Sequence, residues 1–270
     1  KGFVGSAVAN GFDQDTDQFI VDPKYLDNTI ADLVEYDPKL VFVCVPTPPQ
    51  HTHLDVDVHI VDSVLKELSS LKYKGIVVVK STITPDHLTR FKKIYDLSLV
   101  YNPEFLTEAN AFDDFLNPSM QILGGKWKDC ENVEKAYVKH SSVKTVPTFK
   151  TDLITASLIK YTINSWLATK VSFFNELHEL FSNSGTKVPW ETFTEMLSQD
   201  KRIGESHMKV PGNDGEFGFG GHCFPKDLSA MLRLADDLET VDNVLNAVQS
   251  TNNSVRKNRD WEKMKGRAIV

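Results

Sequence analysis

The stretch best equipped for chemistry is residues 218–227, with the sequence GFGGHCFPKD. Three glycines precede Cys223, and glycine lets the backbone approach a ligand closely because no Cβ stands in the way. Lys226 and Asp227 follow the thiol closely, and a nearby cation favours the reactive thiolate. A nucleophile, a cation and a potential base in one short stretch are typical of covalent catalysis. The alternative is a tight turn into a helix, with Pro225 at the first helical position and a cysteine that only packs.

The first residues, KGFVG, match part of the phosphate-binding turn G-x-G-x-x-G. Gly2 and Gly5 fit its second and third glycines, and the first glycine and the strand before it would lie upstream of Lys1. Residues 19–22 predict a short strand that ends in Asp22, 20 residues after Gly2. At that spacing a carboxylate binds the ribose hydroxyls of NAD, and it would repel the 2′-phosphate of NADP. We therefore expect NAD in preference to NADP.

Strands and helices alternate up to about residue 148, which predicts an α/β domain with a doubly wound, Rossmann-like sheet. The apolar runs at residues 40–45 and 76–80 are typical of parallel strands that helices cover on both faces. Glu104 and Glu108 would share one face if their segment is helical. The other predicted elements are strands over residues 97–101, 120–124 and 143–146 and helices over residues 56–71 and 129–138.

A change of pattern follows residue 148. Residues 152–183 contain neither proline nor glycine and carry apolar residues at helical spacing, which predicts one helix about 48 Å long. So long an apolar helix should bridge domains and pack against a second subunit. Lys160 and Asn164 lie four residues apart and share one face of it. Further helices are predicted over residues 189–198, 227–238 and 241–259.

The composition of the chain limits the number of domains and the class of protein. The chain has 270 residues, a net charge of −7 and 41% hydrophobic residues, which suits one large or two medium domains. The acidic balance disfavours a nucleic-acid-binding surface. The three cysteines, Cys44, Cys130 and Cys223, are too widely spaced for a disulfide framework or a metal cluster. No signal peptide and no apolar run of ~20 residues is visible, so we expect a cytoplasmic protein without a bound metal.

Taken together, these stretches resemble the UDP-glucose/GDP-mannose dehydrogenase family, whose NAD-dependent members oxidise a nucleotide-sugar alcohol to the acid in two steps. The matching residues are collinear and cover nearly the whole chain. They are Gly2-Phe3-Val4-Gly5, Val45-Pro46-Thr47-Pro48, Lys80-Ser81-Thr82, Asn102-Pro103-Glu104-Phe105-Leu106-x-Glu108, Lys160-x-x-x-Asn164, Phe174-Asn175-Glu176, Asp200-x-Arg202-Ile203-Gly204 and residues 218–227. The last two are most like the members that oxidise UDP-glucose. Oxidation of GDP-mannose or UDP-N-acetylmannosamine is an alternative, as is a non-catalytic homologue that acts as a binding or assembly protein.

The resemblance implies a mechanism. Cys223 would trap the aldehyde intermediate as a thiohemiacetal and later hold a thioester that water releases. Lys160 and Asn164 would face the developing oxyanion. Asp227 together with Thr82 would hold the water and assist proton transfer.

The resemblance also implies which residues bind the cofactor and the substrate. Glu104 is the other candidate acid or base of the reaction. Arg202 matches an arginine that can reach the site of a neighbouring subunit, which implies a homodimer through the long helix. The implied cofactor-binding residues are Gly2, Phe3, Val4, Gly5, Asp22, Pro46, Thr47, Thr82, Glu108 and Lys226. The implied substrate-binding residues are Glu104, Phe105, Leu106, Lys160, Asn164, Arg202, Phe219 and Gly220.

Three segments are expected in the domain organisation. Residues 1–150 should form the NAD-binding Rossmann-like domain without its first strand, and residues 151–264 a helical central and dimerisation domain that carries the catalytic cysteine. Residues 265–270 would be the start of a C-terminal nucleotide-binding α/β domain that is otherwise missing. Family members have a complete first strand and that third domain. We therefore expect either a fragment or a natural short form.

Overall fold

The computed structural model describes residues 2–49, 56–107 and 110–263. They form two compact units: the first holds residues 2–48, 56–107 and 110–160, and the second holds residues 49 and 161–263. The first unit contains a five-stranded sheet with helices, and the second is built on helices. None of the described helices is long and apolar enough to cross a bilayer.

The first unit contains α1 (Phe3–Gly11), α2 (Ile30–Tyr36), β1 (Leu40–Val43), α3 (His59–Ser70), β2 (Ile76–Val79), α4 (Pro85–Ile94), β3 (Ser98–Tyr101), α5 (Ala111–Leu116), β4 (Gln121–Gly125), α6 (Trp127–His140) and β5 (Thr148–Thr151). Helix α7 (Leu153–Asn183) begins in the first unit and continues in the second. The second unit also contains α8 (Trp190–Ser198), α9 (Cys223–Asp237), α10 (Asn243–Val255) and α11 (Asp260–Lys263).

The five strands lie side by side in chain order. Strands β1, β2 and β3 are parallel, with Leu40 opposite Ile76 and Ile76 opposite Ser98. All four residues of β2 are buried, because a strand in the middle of a parallel sheet is covered on both faces. The predicted α/β, Rossmann-like class is confirmed.

The sheet is mixed, however, and not wholly parallel. Strand β4 runs antiparallel to β3, and β5 runs parallel to β4. Helix α5, between β3 and β4, has only six residues and spans about 9 Å, too little to carry the chain back to the other end of the sheet. The 14-residue helix α6 spans about 21 Å and makes that return, so β4 and β5 are parallel.

Two predicted strands were wrong. The last strand lies at residues 148–151, not 143–146, because α6 continues to His140 and the chain must then travel back to the edge of the sheet. Pro147, which has no N–H to donate to a ladder, accepts a hydrogen bond from Gln121 N through its carbonyl (3.0 Å) just before β5 begins. Residues 19–22 are not a strand. In a βαβ unit this segment would pair with the strand before α1, and only Gly2 precedes α1 among the described residues.

One face of the sheet packs against α1, α5 and α6. The buried cluster there combines alternate residues of the strands with apolar residues of the three helices. The rings of Phe12, Phe42 and Tyr137 pack against one another in tilted and edge-to-face arrangements, with centroids 4.9–6.1 Å apart. The buried residues of this cluster are Ala7, Val8, Phe12, Ile76, Val78, Val100, Phe115, Leu123, Cys130, Val133 and Tyr137.

Helix α7 confirms the predicted long helix and has 31 residues. Two clusters in the second unit pack along it. The first combines Ala168 with Phe219, Leu228, Leu232 and Val248, and so joins the helix to α9, α10 and the loop before α9. The second combines Phe174 with Trp190, Met208 and Val210.

Candidate functional site

Cys223 is the first residue of α9, with His222 at the N-cap. The predicted start of this helix at residue 227 was therefore wrong by four residues. Pro225 lies inside the first turn, where a proline is tolerated because those N–H groups have no partner within the helix. The Cys223 thiol is exposed. It lies at a helix N-terminus, where the helix dipole favours negative charge.

Asp227 follows Cys223 by one helical turn and is only 1% exposed. Its two carboxylate oxygens have different donors in the second unit: Lys226 Nζ lies 2.6 Å from Oδ1 and Asn164 Nδ2 lies 2.5 Å from Oδ2. Lys226 and Asn164 are each 7% exposed. Buried polar atoms need hydrogen-bond partners, and here each oxygen of a carboxyl group one turn after Cys223 has one.

The loop after β3 carries Glu104, Phe105 and Leu106 in the first unit and is not helical over residues 102–107. Lys160 Nζ donates to the backbone oxygen of Glu104 (2.6 Å) and lies 5.2 Å from the centre of the Phe105 ring. The Glu104 carboxylate accepts a hydrogen bond from Leu106 N (2.7 Å). All three loop residues line a cavity of about 290 Å³. Lys160 therefore orders the loop that carries Glu104.

A second buried lysine holds the same loop, and we did not single it out from the sequence. Lys80 is 4% exposed and donates to Asn102 O (3.2 Å) and Asn102 Oδ1 (3.0 Å). Asn102 Oδ1 also accepts a hydrogen bond from Tyr137 OH (2.8 Å). Burial lowers the pKa of the Lys80 ammonium to about 8, an effect that Cys44 and Glu104 oppose and that the charge of Lys160 strengthens. The Lys-Ser-Thr motif contained this lysine, but its partner lies 22 residues away.

Lys80 makes the stability of the first unit depend on pH. In the unfolded chain a lysine has a pKa near 10.5, but in the folded protein the pKa of Lys80 is about 8. Between these values the unfolded state binds more protons, so the free energy of unfolding should rise with pH by up to about 3 kcal/mol. Denaturant titrations between pH 7.5 and 10.5 measure the free energy of unfolding, which should rise with pH more in the wild type than in Lys80→Met. Lys74→Met, at an exposed lysine, is the control. Parallel curves for wild type and Lys80→Met would contradict the assignment.

The loops after β1 and β2 carry Thr47 and Thr82. Ser81 Oγ donates to Val45 O (2.6 Å), which ties the two loops together. Ser157 Oγ of α7 donates to Ile83 O (2.7 Å) and fixes the second loop beside Thr82. Thr47 is 7% exposed, and Pro46 and Thr82 are half-buried. Both loops lie at the carboxyl ends of parallel strands, where ligands bind in sheets of this kind.

The start of α1 fits a dinucleotide. Gly2 is its N-cap, no side chain caps the helix, and the first turn contains no acidic residue, so its N–H groups suit a pyrophosphate. A Cβ added at Gly2 would meet no atom within 4 Å, and one at Gly5 would lie 3.6 Å from Cys44 Cβ. Gly5 thus permits close packing of helix and strand. Phe3 is exposed and Val4 and Asp22 are half-buried.

The remaining predicted residues are placed as follows. Arg202 is exposed and pairs with Asp200 (Nη2 to Oδ2, 2.5 Å), which holds the pKa of that carboxyl below its usual range. Phe219 is buried in the second-unit core and Gly220 is half-buried. Glu108 lies outside the described residues, as does the predicted strand at residues 265–270. In the described part of the chain, no group of three or more His, Cys, Asp or Glu side chains could hold a metal ion.

The predicted residues therefore gather into two sets, one in each unit. Glu104, Phe105, Leu106 and Lys160 lie together in the first unit. In the second unit Asn164, Lys226 and Asp227 are hydrogen-bonded, and Cys223 shares a helix with the last two.

Comparisons with known proteins identify both units. The NAD binding domain of the UDP-glucose/GDP-mannose dehydrogenase family matches residues 27–141, and the central domain of the same family matches residues 154–254. The expected cofactor, NAD, is therefore confirmed.

Individual relatives agree with these matches. The UDP-glucose 6-dehydrogenase of Rickettsia felis is 31% identical over 217 residues, which cover 78% of this chain and 47% of the relative. A UDP-glucose dehydrogenase structure from Pyrobaculum islandicum superposes with a TM-score of 0.71 at 27% identity, covering 84% of this chain and 52% of that one. A GDP-mannose dehydrogenase structure from Pseudomonas aeruginosa superposes with a TM-score of 0.57 at 26% identity, covering 83% of this chain and 53% of that one. The chain spans about half the length of the curated relatives it matches.

Proposed function

Because the chain belongs to the UDP-glucose/GDP-mannose dehydrogenase family, we propose that it takes part in the NAD-dependent oxidation of UDP-glucose to UDP-glucuronate. The observation that carries this proposal is the first turn of α9. An exposed cysteine begins the helix, and a buried carboxylate held by Lys226 and Asn164 follows one turn later. A carboxyl group one turn from an exposed thiol can accept or donate the protons that covalent chemistry at the sulfur requires.

Cys223 is the nucleophile of the proposed reaction. Its sulfur adds to C6 of the aldehyde that the first oxidation forms, and the carbonyl oxygen takes a proton to give a thiohemiacetal. The second oxidation leaves a thioester, and water then adds to C6 and breaks the C–S bond, so that the carboxylate leaves and the thiol is restored. NAD, when bound, supplies the acceptor for the hydride that C6 loses in each oxidation.

Lys160 and Asn164 stabilise the negative charge that grows on the C6 oxygen, since an ammonium and an amide are both donors. Asp227 accepts the proton of the attacking water, and Thr82 is a further proposed hydrogen-bonding residue of the reaction. Glu104 is the alternative acid or base. Its neighbours in the structure support this role, because Lys160 and Lys80 hold the loop on which it lies.

The cofactor and substrate residues follow the family pattern. For NAD we propose Gly2, Phe3, Val4, Gly5, Asp22, Pro46, Thr47, Thr82, Glu108 and Lys226. For the nucleotide sugar we propose Glu104, Phe105, Leu106, Lys160, Asn164, Arg202, Phe219 and Gly220. The uncapped start of α1 and the cavity lined by Glu104, Phe105 and Leu106 support the two assignments.

A direct assay tests the function. The protein is incubated with UDP-glucose and NAD, and the NADH formed is followed by its absorbance, with GDP-mannose, UDP-N-acetylmannosamine and NADP as the alternative reactants. We expect the highest kcat/KM with UDP-glucose and NAD, and two NADH per UDP-glucuronate. A preference for GDP-mannose, which the Pseudomonas relative is named for, would overturn the substrate. Binding of NAD and UDP-glucose without turnover would instead favour a non-catalytic binding or assembly protein.

We further propose a homodimer through α7. Trp166, Phe173 and Leu180 are 60%, 58% and 66% exposed and lie seven residues apart, which places them on one face of the helix. A stripe of large apolar side chains on one helix face is typical of a protein–protein interface.

Light scattering should therefore give the mass of a dimer at micromolar concentration. A charge in the middle of the stripe, Phe173→Glu, should shift the equilibrium towards the monomer because the glutamate would be buried without a partner. Val138→Glu, at a 65% exposed valine of α6, is the control and should leave the dimer intact. A monomeric wild type, or equal effects of the two changes, would contradict this interface.

A further inference from the structure

The loop that leads into Cys223 is held by side chains from three helices. Gly218 N donates to Asn175 Oδ1 of α7 (2.9 Å) and Phe219 N donates to Asn252 Oδ1 of α10 (2.7 Å). Gly221 N donates to Asp260 Oδ2 of α11 (3.0 Å). Backbone N–H groups that have no partner in a helix or strand need one elsewhere when they are buried. Here side-chain oxygens satisfy three of them in the four residues from 218 to 221.

The two asparagines are buried and cannot be explained as helix formers. Asn175 is 5% and Asn252 is 3% exposed, and asparagine is among the less favourable residues in a helix interior. Asn252 also donates through Nδ2 to Phe219 O (3.0 Å). Its amide therefore pairs with both backbone groups of Phe219, as a neighbouring strand would.

Asp260 is itself held by Arg256, whose side chain is 2% exposed. Arg256 Nη2 lies 3.3 Å from Asp260 Oδ1, Nη1 lies 2.7 Å from Asp214 Oδ2, and Nε donates to Asn258 O (2.8 Å). Asp260 thus uses one oxygen for the arginine and the other for the loop. A buried guanidinium with three acceptors has one well-defined orientation, so it fixes the carboxylate that holds Gly221.

The glycines of the loop admit these side chains. A Cβ added at Gly218 would collide with Asn252 Oδ1, and one at Gly220 would collide with Arg256 Nη2 and Asp260 Oδ1. From the sequence we attributed the glycines before Cys223 to close approach of a ligand. At Gly218 and Gly220 the groups that approach belong to the protein itself. Gly218 and Gly221 also have φ values of +70° and +72°, which favour glycine.

We propose that Asn175, Asn252, Asp260 and Arg256 are positioning residues for Cys223. They hold the loop at three points, the last of them two residues before the thiol, and so set where the first turn of α9 presents the sulfur. The catalytic importance of this placement rests on the proposed function, because a nucleophile must meet its carbonyl carbon in a narrow range of geometry. The placement itself is a property of the folded second unit.

Alkylation of the thiol tests the proposal without substrate or cofactor. The rate constant for modification of Cys223 by iodoacetamide is measured from pH 6 to 10, with peptide mass spectrometry to separate it from Cys44 and Cys130. Asp260→Ala should change this rate constant about tenfold or shift its pH midpoint, because Gly221 N loses its partner. Asp260→Asn, which keeps an oxygen acceptor, should restore most of the wild-type value. Glu262→Ala, at an exposed residue of the same short helix, is the control.

Turnover then separates the two hypotheses. Asp260→Ala should lower kcat for the nucleotide sugar about tenfold, and circular dichroism checks that the variant is folded. If it is unfolded, Asn252→Ser serves instead, because the shorter side chain loses the two-point pairing with Phe219 without adding a buried charge. Wild-type alkylation and turnover in a folded Asp260→Ala protein, or equal changes in Glu262→Ala, would overturn the proposal. Altered alkylation in a protein that never oxidises a nucleotide sugar would support the positioning and overturn the proposed function alone.

Discussion

Cys223→Ser is expected to abolish the complete oxidation of the nucleotide sugar while leaving the binding of NAD and UDP-glucose nearly unchanged. A hydroxyl is far less acidic than a thiol, so serine is a poor nucleophile near neutral pH. Binding should persist because the Lys226–Asp227 pair, the bond from Asn164 and the hydrogen bonds of the glycine loop do not involve the sulfur. The readouts are the steady-state formation of NADH and titrations of both ligands.

The other cysteines provide the control. Burial raises the pKa of the Cys44 thiol to about 12, and Cys130 is fully buried, so neither can replace Cys223 as a thiolate near neutral pH. Cys130→Ser should therefore keep its turnover, apart from any loss of stability. Full turnover by Cys223→Ser would remove the cysteine from the mechanism and with it the main support for the proposed function.

Lys160→Ala is expected to slow the reaction by a factor on the order of 10²–10³, the usual loss when one charge-stabilising donor is removed. The change acts in two ways in this structure. It deletes a positive charge that is 4% exposed, and it frees the Glu104 carbonyl that Lys160 Nζ contacts at 2.6 Å. The first effect lowers kcat, and the second disturbs the loop that carries the candidate substrate residues and so raises KM.

Lys150→Met is the matched control for this prediction. Lys150 belongs to the first unit as Lys160 does, but it is half-buried and pairs with Glu134 at 2.5 Å. We expect it to change stability and leave kcat/KM within about threefold of wild type, since it touches none of the proposed site residues. Similar losses in Lys150→Met and Lys160→Ala would show that the effect comes from the fold and not from the charge.

Local signals were enough to predict much of the fold. An apolar run predicts β2, which is buried at every residue, and 31 helical residues without proline or glycine predict α7. The direction of β4 and the position of β5 were not predictable in this way. Strand direction depends on how far α5 and α6 carry the chain, and β4 pairs with residues 148–151 and not with residues 143–146.

The sequence by itself determined the chemistry of the candidate site, because its groups lie close together in the chain. Cys223, Lys226 and Asp227 fall within two turns of one helix, and Lys160 and Asn164 lie one turn apart on another. The family resemblance rests on such short motifs. Even here the start of α9 was misplaced, since a proline in the first turn does not end a helix.

Only the tertiary structure decided what holds these groups in place. Lys80 meets Asn102 across 22 residues of chain, and Asn252 meets Phe219 across 33. Neither pair has a local pattern, because a buried polar group takes whichever partner the packing of distant elements brings within about 3 Å. The glycines before Cys223 indicate, from the sequence, that some group approaches the backbone closely. Which groups approach Gly218 and Gly220 is known only from the packing of α10 and α11 against the loop.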